Sequence, residues 1–189
     1  ITLNPKHADA YFYRGIAKFF LQDYPGAIND FTKAIEINPK YTMAYSNRGS
    51  AKLALQDYTG AIKDYTKAIE LDPKDANYYG DRGLAKGNLE DYRGAIKDLA
   101  KAIELDPKYE KAYYNRGGVN LKLEDYTGAI KDFSKVITLN PKHADAYFYR
   151  GIAKYALKDK QGALDDLSTA GELGHPRAYE AIKDFQAEK

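Results

Sequence analysis

The segment that decides the fold is residues 42–74, TMAYSNRGSAKLALQDYTGAIKDYTKAIELDPK. In its first half, Ala44, Ala51 and Leu55 share one face of a helix, and its second half has a helical spacing of its own. The intervening QDYTG interrupts both patterns, and we expect Thr59 within it to cap the second helix. An Asp-Pro pair then ends that helix, because proline disfavours helical geometry in the residue before it. The segment therefore predicts two helices joined by a tight turn.

The same pattern recurs every 34 residues along the chain. The period is marked by prolines, glycines and alanines at Pro5, Pro39, Pro73, Pro107 and Pro141, at Gly15, Gly49, Gly83, Gly117 and Gly151, and at Ala27, Ala61, Ala95, Ala129 and Ala163. It predicts the tail of an earlier copy at 1–7, full copies at 8–41, 42–75, 76–109, 110–143 and 144–177, and a capping helix at 178–189. A hairpin of this size cannot bury its apolar face alone, so the copies must stack. We therefore predict one all-α domain over residues 1–189, an α-solenoid of stacked helix-turn-helix hairpins.

Residues 1–18 and 137–154 are identical, ITLNPKHADAYFYRGIAK. The two segments lie four periods apart and neither begins at a repeat boundary, so we infer that the first and fifth copies share a recent ancestor. Because the chain starts at Ile1 rather than at methionine, we interpret it as an excised or processed piece that could have lost an upstream signal. We favour a cytoplasmic location, although no residue pattern identifies the compartment.

The C-terminal stretch departs from the period. Gly171 replaces the isoleucine of the other copies, and the proline moves by one position to Pro176. Beyond it, Ala178, Ile182 and Phe185 form an apolar stripe with helical spacing. Such a stripe suits a terminal helix that covers the last hairpin, since solenoids of this kind need capping elements for solubility.

Three further columns of residues predict how the helices meet. Small residues such as Gly15 and Ala27 permit helices to approach closely. We expect one tyrosine column to fill the space between neighbours, namely Tyr11, Tyr45, Tyr79, Tyr113 and Tyr147. Each first helix also carries an arginine that is matched by an aspartate sixteen residues later in the second helix. We expect ion pairs between Arg14 and Asp30, Arg48 and Asp64, Arg82 and Asp98, Arg116 and Asp132, and Arg150 and Asp166.

These residue types at this period resemble the tetratricopeptide repeat. The resemblance covers essentially the whole chain and rests, in the second copy, on Tyr45, Gly49, Ala61, Tyr65, Ala68 and Pro73. One departure recurs, because an arginine precedes each glycine where the family's best-known pattern has a large apolar residue. The resemblance implies a right-handed solenoid that holds short peptides on its inner face. It also implies that Asn47 and Asn115 hold the ligand backbone.

The resemblance also argues against one well-known ligand of the family. The family's cationic clamp for a C-terminal carboxylate is missing, because its basic positions are occupied by Phe12, Asp81, Asp145 and Tyr149. We therefore expect any ligand to depend more on apolar anchors than on charge.

Composition and residue spacing exclude several classes of function. The chain has no cysteine, which excludes disulfides, thiol nucleophiles and cysteine-based zinc sites. Its formal net charge of +2, with both signs interspersed, argues against a nucleic-acid partner, and no apolar stretch is long enough to span a bilayer. Of the three histidines, His7, His143 and His175, the first two occupy the same loop position in copies that are expected far apart in an elongated array, and the glycines occur singly. We interpret the chain as non-enzymatic, with no cofactor, no metal site and no membrane partner.

The candidate binding site is the face of the first helices that varies between copies. If the constant faces pack inward, stacking aligns the variable faces into a concave groove, aromatic at both ends and lined by small residues midway. The predicted groove residues are Phe12, Tyr13, Ile16, Phe19, Asn47, Ser50, Leu53, Asp81, Leu84, Tyr114, Asn115, Leu121, Phe148, Tyr149, Ile152 and Tyr155. Among them Phe12, Ile16 and Phe19 are spaced as one helical face, and we expect them to form an exposed apolar patch. The alternative is a solvated face that varies because nothing constrains it.

Two functions from different classes follow. The first is a protein-interaction scaffold that binds a peptide or an apolar helix of a partner protein in the groove. The second is a self-assembling array, in which chains stack end to end through an uncapped N-terminal face to give homo-oligomers or open filaments.

Overall fold

The computed structural model of the protein describes residues 7–187, and within that range it contains helices and turns but no strand. The helices are α1 Ala8–Phe20, α2 Tyr24–Ile37, α3 Thr42–Ala54, α4 Tyr58–Leu71, α5 Ala76–Asn88, α6 Tyr92–Leu105, α7 Glu110–Lys122, α8 Tyr126–Leu139, α9 Ala144–Ala156, α10 Lys160–Glu172 and α11 Ala178–Ala187. The odd-numbered helices from α1 to α9 are the first helices of successive hairpins, and each begins 34 residues after the previous one. The predicted all-α fold of stacked hairpins is confirmed.

The helices group into two compact units, one ending at Leu105 and one beginning at Asp106. In the first unit, α1 packs on α2, α3 on α4 and α5 on α6, while α2 also packs on α3 and α4 on α5. In the second unit, α7 packs on α8, α8 on α9, α9 on α10 and α10 on α11. The interpretation of residues 1–189 as a single domain stays a prediction, and residues 1–6 of the predicted leading tail lie outside the described part.

One large residue in each second helix forms the centre of each hairpin. These residues are completely or almost completely buried and are Phe31, Tyr65, Leu99, Phe133 and Leu167. The glycine of each first helix lies directly against them. A Cβ atom on Gly15 would come within 2.7 Å of the Phe31 ring, and one on Gly83 within 2.8 Å of Leu99 Cγ. The small-residue column therefore does permit the close approach that the sequence predicts.

The five predicted arginine–aspartate pairs all form. In the third hairpin the Arg82 guanidinium donates from Nε to Asp98 Oδ2 at 2.8 Å and from Nη2 to Asp98 Oδ1 at 2.7 Å. The same two-bond geometry recurs in the other four hairpins. Because each aspartate is buried, this pairing is what allows a charged group to lie between the two helices.

Each arginine–aspartate pair has further partners that the sequence analysis missed. A lysine four residues after the arginine also contacts the carboxylate, as Lys86 does to Asp98 at 2.8 Å. The fourth hairpin has Asn120 at that position, and its amide donates to Asp132 at 3.2 Å. The tyrosine three residues before each arginine, expected to fill the space between neighbours, lies half-buried with its ring centroid 5.4–5.8 Å from the guanidinium carbon.

The cap of each second helix differs from the predicted one. Asp57, not Thr59, precedes α4 as its N-cap, and its carboxylate accepts a hydrogen bond from the backbone N–H of Gly60 at 2.9 Å. The corresponding aspartates of the other four hairpins make the same bond. Thr59 already lies inside the helix, because Gln56 takes a left-handed conformation with φ of 61° and the helix then begins two residues earlier than a cap at Thr59 would place it.

The C-terminal helix covers the last hairpin as predicted. Ala178 is buried, and Ile182 and Phe185 pack against the same cluster of apolar residues on α9 and α10. The structure explains why residue 171 is glycine where the other copies have isoleucine. A Cβ atom there would come within 2.6 Å of the Tyr179 ring. The isoleucine of the other copies would therefore force the Tyr179 ring to move from this position.

Candidate functional site

All sixteen predicted groove residues lie on first helices, but they fall into two groups. Nine lie in the first unit, where α1 contacts α3 and α3 contacts α5. The other seven lie in the second unit, where α7 contacts α9. Within each unit the first helices are therefore neighbours, and the variable residues of adjacent copies are brought to the same side.

The prediction of an exposed Phe12–Ile16–Phe19 patch is wrong. Phe12 is a core residue, and its ring lies 4.8 Å from that of Tyr41 and 5.8 Å from that of Phe31. Ile16 and Phe19 are half-buried against the same cluster. The reason is Tyr41, the residue immediately before the next first helix, which covers the face that the sequence pattern left open.

A hydrogen bond holds Tyr41 in that position. Its hydroxyl donates to the Asp9 carboxylate at 2.9 Å, which joins the start of α3 to the start of α1. Burial and this hydrogen bond together raise the pKa of Tyr41 above its ordinary value. The sequence contains a signal for this contact, since an aromatic or histidine residue precedes α3, α7 and α9 at the same repeat position.

The aromatic end of the predicted groove in the second unit is also largely occupied by the protein itself. Phe148 is buried, and its ring stacks on that of His175 with centroids 3.9 Å apart, so its expected role as an exposed groove residue is wrong. Tyr155 stacks on Phe185 of α11 at 3.5 Å. Tyr149 is half-buried with its ring stacked on Phe133 at 5.9 Å.

Tyr114 shows the same covering by the residue before the next first helix. Its ring lies 4.9 Å from that of His143, which in turn contacts Glu110 at 3.6 Å. Burial, with smaller contributions from Asp145 and Tyr149, raises the pKa of Tyr114 to about 12.

In the first unit, the side chains in the middle of the predicted groove partly make contacts within the protein itself. The Ser50 hydroxyl donates to the backbone carbonyl of Ser46 at 3.2 Å and lies 3.1 Å from the hydroxyl of the buried Tyr65. It therefore satisfies a polar group in the core. Leu53 packs against the cluster around Tyr65, and Asp81 and Leu84 are half-buried.

Three large side chains on the first helices of the first unit remain exposed, and one of them, Phe20 at the C-terminal end of α1, is 78% exposed. Tyr13 on α1 is 67% exposed, and Met43 on α3 is 51% exposed. Tyr13 and Met43 are both linked to Tyr41, because the rings of Tyr13 and Tyr41 both contact Phe12, at 5.4 and 4.8 Å, and Met43 follows Tyr41 by two residues. One turn further along α3, the Asn47 amide nitrogen donates to the Met43 carbonyl at 2.8 Å. We call Tyr13, Met43 and Asn47 the Tyr13–Met43 patch.

The remaining predicted residues of the second unit are less exposed. Asn115, Leu121 and Ile152 are half-buried, and Leu121 packs against the cluster formed by α8 and α9. No group of three metal-ligating side chains occurs within residues 7–187. Over the same range, none of the helices combines the length and apolarity that crossing a membrane requires.

Comparison with known protein families gives a direct match. The sequence matches the family model of the tetratricopeptide repeat over residues 8–41, 43–75 and 110–143, which together make up more than half of the chain. A further model, described as a TPR repeat, matches residues 88–124. None of the curated proteins matches the sequence significantly.

Solved structures with the same fold include several tetratricopeptide proteins. A crystal structure of MamA superposes with a TM-score of 0.80 at 26% identity, over 91% of this chain and 94% of that one. MamA from Desulfovibrio magneticus RS-1, from residue 41 to its end, gives a TM-score of 0.82 at 19% identity, over 91% and 97%. YrrB, described as a TPR protein with an unusual peptide-binding site, gives 0.78 at 22% identity, over 95% and 94%. The last two likenesses show the fold alone.

Proposed function

The chain belongs to the tetratricopeptide-repeat family, and from that premise we propose that it is a non-enzymatic scaffold that binds a peptide or an apolar helix of a partner protein. Binding takes place on the first helices of the first unit, at the Tyr13–Met43 patch. The observation that carries the proposal is the exposure of these two large side chains beside a tightly covered core.

The chemistry of the patch suits a protein ligand. Tyrosine and methionine are enriched at protein interfaces, where tyrosine adds a rigid ring and methionine adapts to the shape of its partner. The half-buried Ile16 and Leu53 extend the apolar character along α1 and α3. The Asn47 side-chain oxygen has no partner within residues 7–187, so it can accept a hydrogen bond from a ligand backbone.

The burial of two predicted groove residues also limits the type of ligand that can bind. Phe12 and Phe148 are unavailable as anchors, because other residues of the chain cover them. A ligand therefore inserts few side chains deeply and instead lies across the exposed ring of Tyr13 and the side chain of Met43. The peptide-binding site attributed to YrrB agrees with this type of function but does not locate it in this chain.

The proposal is tested with a peptide selected from a displayed random library on the wild-type protein. We expect the double variant Tyr13→Ser with Met43→Ser to bind that peptide at least about tenfold more weakly, because a loss of about 1.4 kcal/mol corresponds to that factor. The matched control is Leu55→Ser, which removes a side chain of similar exposure, 47%. Leu55 lies at the opposite end of α3, roughly 18 Å along the helix axis from Met43. Equal affinities of the double variant and the wild type would contradict the proposal.

A second candidate, self-assembly, is favoured by the outer side of α1. Ala17 is exposed there, whereas its counterpart Ala153 is buried against Ala129, Phe133 and Val136 of α8. Leu21 is 80% exposed, compared with 49% for its counterpart Leu157. Because residues 8–18 and 144–154 are identical, α1 offers the same surface on which α9 accepts α8.

We propose a second copy of the chain as the occupant of this surface in the self-assembly case. Light scattering of the wild type over a range of concentrations then shows a mass that rises with concentration, and Leu21→Lys abolishes the rise. A constant monomer mass up to millimolar concentration rules self-assembly out and leaves the peptide-binding proposal untouched.

A further inference from the structure

The strongest unassigned feature of the molecule is a pocket between α7 and α8 in the second unit. Its volume is about 330 Å³, within the range of about 300–1,000 Å³ that small-molecule sites occupy. The side chains that line it comprise three cations, one carboxylate and three hydroxyls: Arg116, Lys131, Lys135, Asp132, Tyr113, Ser134 and Thr138.

The repeat provides an internal comparison for the lysine at position 135. In the first three hairpins the corresponding lysine pairs with a glutamate three residues later, at 2.6 Å for Lys33, 2.9 Å for Lys67 and 2.7 Å for Lys101. In the fourth hairpin that glutamate is replaced by Thr138, whose hydroxyl donates to the Ser134 carbonyl at 2.8 Å. Lys135 consequently has no carboxylate within 4 Å in the described part of the chain.

The single carboxylate of the pocket is already engaged by the protein. Asp132 accepts hydrogen bonds from Arg116 at 2.9 and 2.7 Å and from Asn120 at 3.2 Å. The positive charges of Lys131 and Lys135 therefore remain uncompensated, and no ion pair of Lys131 occurs between residues 7 and 187. Two uncompensated cations on the wall of one pocket favour a dianionic ligand.

Further hydrogen-bond donors point to the same ligand chemistry. In the second, third and fifth hairpins the arginine Nη1 donates to a hydroxyl, as Arg48 does to Thr32 at 3.0 Å and Arg150 to Ser134 at 3.1 Å. Arg116 makes no such bond within residues 7–187, since the residue that corresponds to Thr32 is Ala100, and the Arg116 side chain lines the pocket. Ser134 accepts from Arg150 through its oxygen, which leaves its own hydroxyl hydrogen available.

We propose that this pocket binds a phosphate-class oxyanion, either free phosphate or the phosphate monoester of a phosphorylated residue. Lys131 and Lys135 supply the neutralising charge, while Arg116 and Ser134 supply directed donors to the oxygen atoms. This inference goes beyond the scaffold function, because the pocket involves a second helix and lies outside the Tyr13–Met43 patch.

The test is a titration of the full ¹⁵N-labelled chain with sodium phosphate at constant ionic strength, with sodium chloride as the reference. We expect saturable shifts of the backbone amides of residues 131–138. A short acetylated phosphoserine peptide and its unphosphorylated form separate the two sources. Binding of the phosphopeptide assigns the site to a phosphorylated residue, and binding of phosphate alone assigns it to the free ion.

Two variants make the titration specific. Thr138→Glu restores the partner that the other lysines have, and Lys135→Gln removes the cation. Each is expected to weaken binding by at least about tenfold, since each cancels or removes one of the two positive charges that attract the anion. The matched control is Lys67→Gln in the second hairpin, where the lysine is already paired, and it should leave the affinity unchanged.

The outcomes separate cleanly. Affinity that is the same in the wild type and in both variants overturns the proposal, as does the absence of saturable shifts in the wild type. Backbone amide shifts at residues 63–70 of the second hairpin that equal those at residues 131–138 overturn it as well, because phosphate would then bind without preference for the pocket. Should Thr138→Glu fail to fold by circular dichroism, Lys135→Gln decides the matter alone.

Discussion

Removing the Arg82 guanidinium tests whether the arginine–aspartate pairs hold each hairpin together. Arg82→Met keeps most of the aliphatic side chain but deletes both hydrogen bonds to Asp98. Asp98 is buried, so after the substitution it keeps only Lys86, at 2.8 Å, as a cationic partner. Breaking a buried pair from one side is costly because the remaining charge stays out of water.

The magnitude follows from this geometry. Loss of one partner of a buried ion pair costs about 3–5 kcal/mol, and the residual contact with Lys86 places this case near the lower limit, at about 3 kcal/mol. In a double-mutant cycle with Asp98→Ala we expect a coupling energy of about 2 kcal/mol, since directly bonded residues typically couple by about 0.5–3 kcal/mol.

The first hairpin provides a matched control. The Arg14 side chain is 45% exposed, whereas that of Arg82 is 16% exposed, although both make the same two bonds to aspartate. Water screens the more exposed pair, so we expect its coupling to be about 1 kcal/mol or less. Both cycles are measured by urea unfolding of the whole chain, with hydrogen exchange to detect hairpins that unfold separately.

Two results would refute this reasoning. A coupling energy below about 0.5 kcal/mol between Arg82 and Asp98 would mean that the pair contributes no more than two independent surface charges. Equal coupling in the third and first hairpins would mean that burial does not control the strength of the pair.

The remaining predictions use neighbouring residues as controls for one another. Gly117→Ala should destabilise the fold, because a Cβ atom there comes within 2.9 Å of a buried aromatic ring, whereas Gly118→Ala faces open space and should stabilise it by about 0.5–1 kcal/mol in thermal or urea unfolding. Asp57→Ala should cost about 1 kcal/mol by loss of the cap, and Thr59→Ala much less; the reverse order would contradict the assigned N-cap. Burial alone would raise the pKa of Asp30, but its hydrogen bonds to an arginine and a lysine lower it below the ordinary value. The stability that this carboxylate contributes is therefore present above about pH 4 and is lost as the pH falls through its folded-state pKa. The stability difference between the wild type and Asp30→Asn should shrink in acid, and a constant difference from pH 7 to pH 2 would refute the assignment.

Structural features that repeat with the 34-residue period could be predicted from the sequence. The hairpins, the small-residue contacts and the pairing of residues such as Arg48 with Asp64 depend on types that recur at fixed spacing in every copy. Five occurrences of one contact also make its physical role visible, because a chance coincidence would not repeat. The caps were missed by two residues, since a left-handed residue at Gln56 shifts the start of the helix and glutamine gives no signal for that conformation.

The candidate site was harder to predict, because the solvent exposure of each side chain depends on residues of the neighbouring copies. Phe12 has the spacing of a groove residue, but whether it faces solvent is decided by Tyr41, which lies 29 positions later in the chain. The same applies to Tyr155, which is covered by Phe185 of the capping helix. Variability between copies therefore indicated the correct helices but did not distinguish a side chain that is available to a ligand from one that its own neighbours cover.

The central claim is that a protein ligand binds the Tyr13–Met43 patch, and the chain offers a direct reporter for it. Met43 is the only methionine in the sequence, so labelling methionine methyl groups with ¹³C gives a single resonance from the middle of the patch. On titration with a library-selected peptide whose binding is established by calorimetry, we predict that this resonance shifts and saturates at the calorimetric stoichiometry. A resonance that stays unchanged while the peptide binds would contradict the claim.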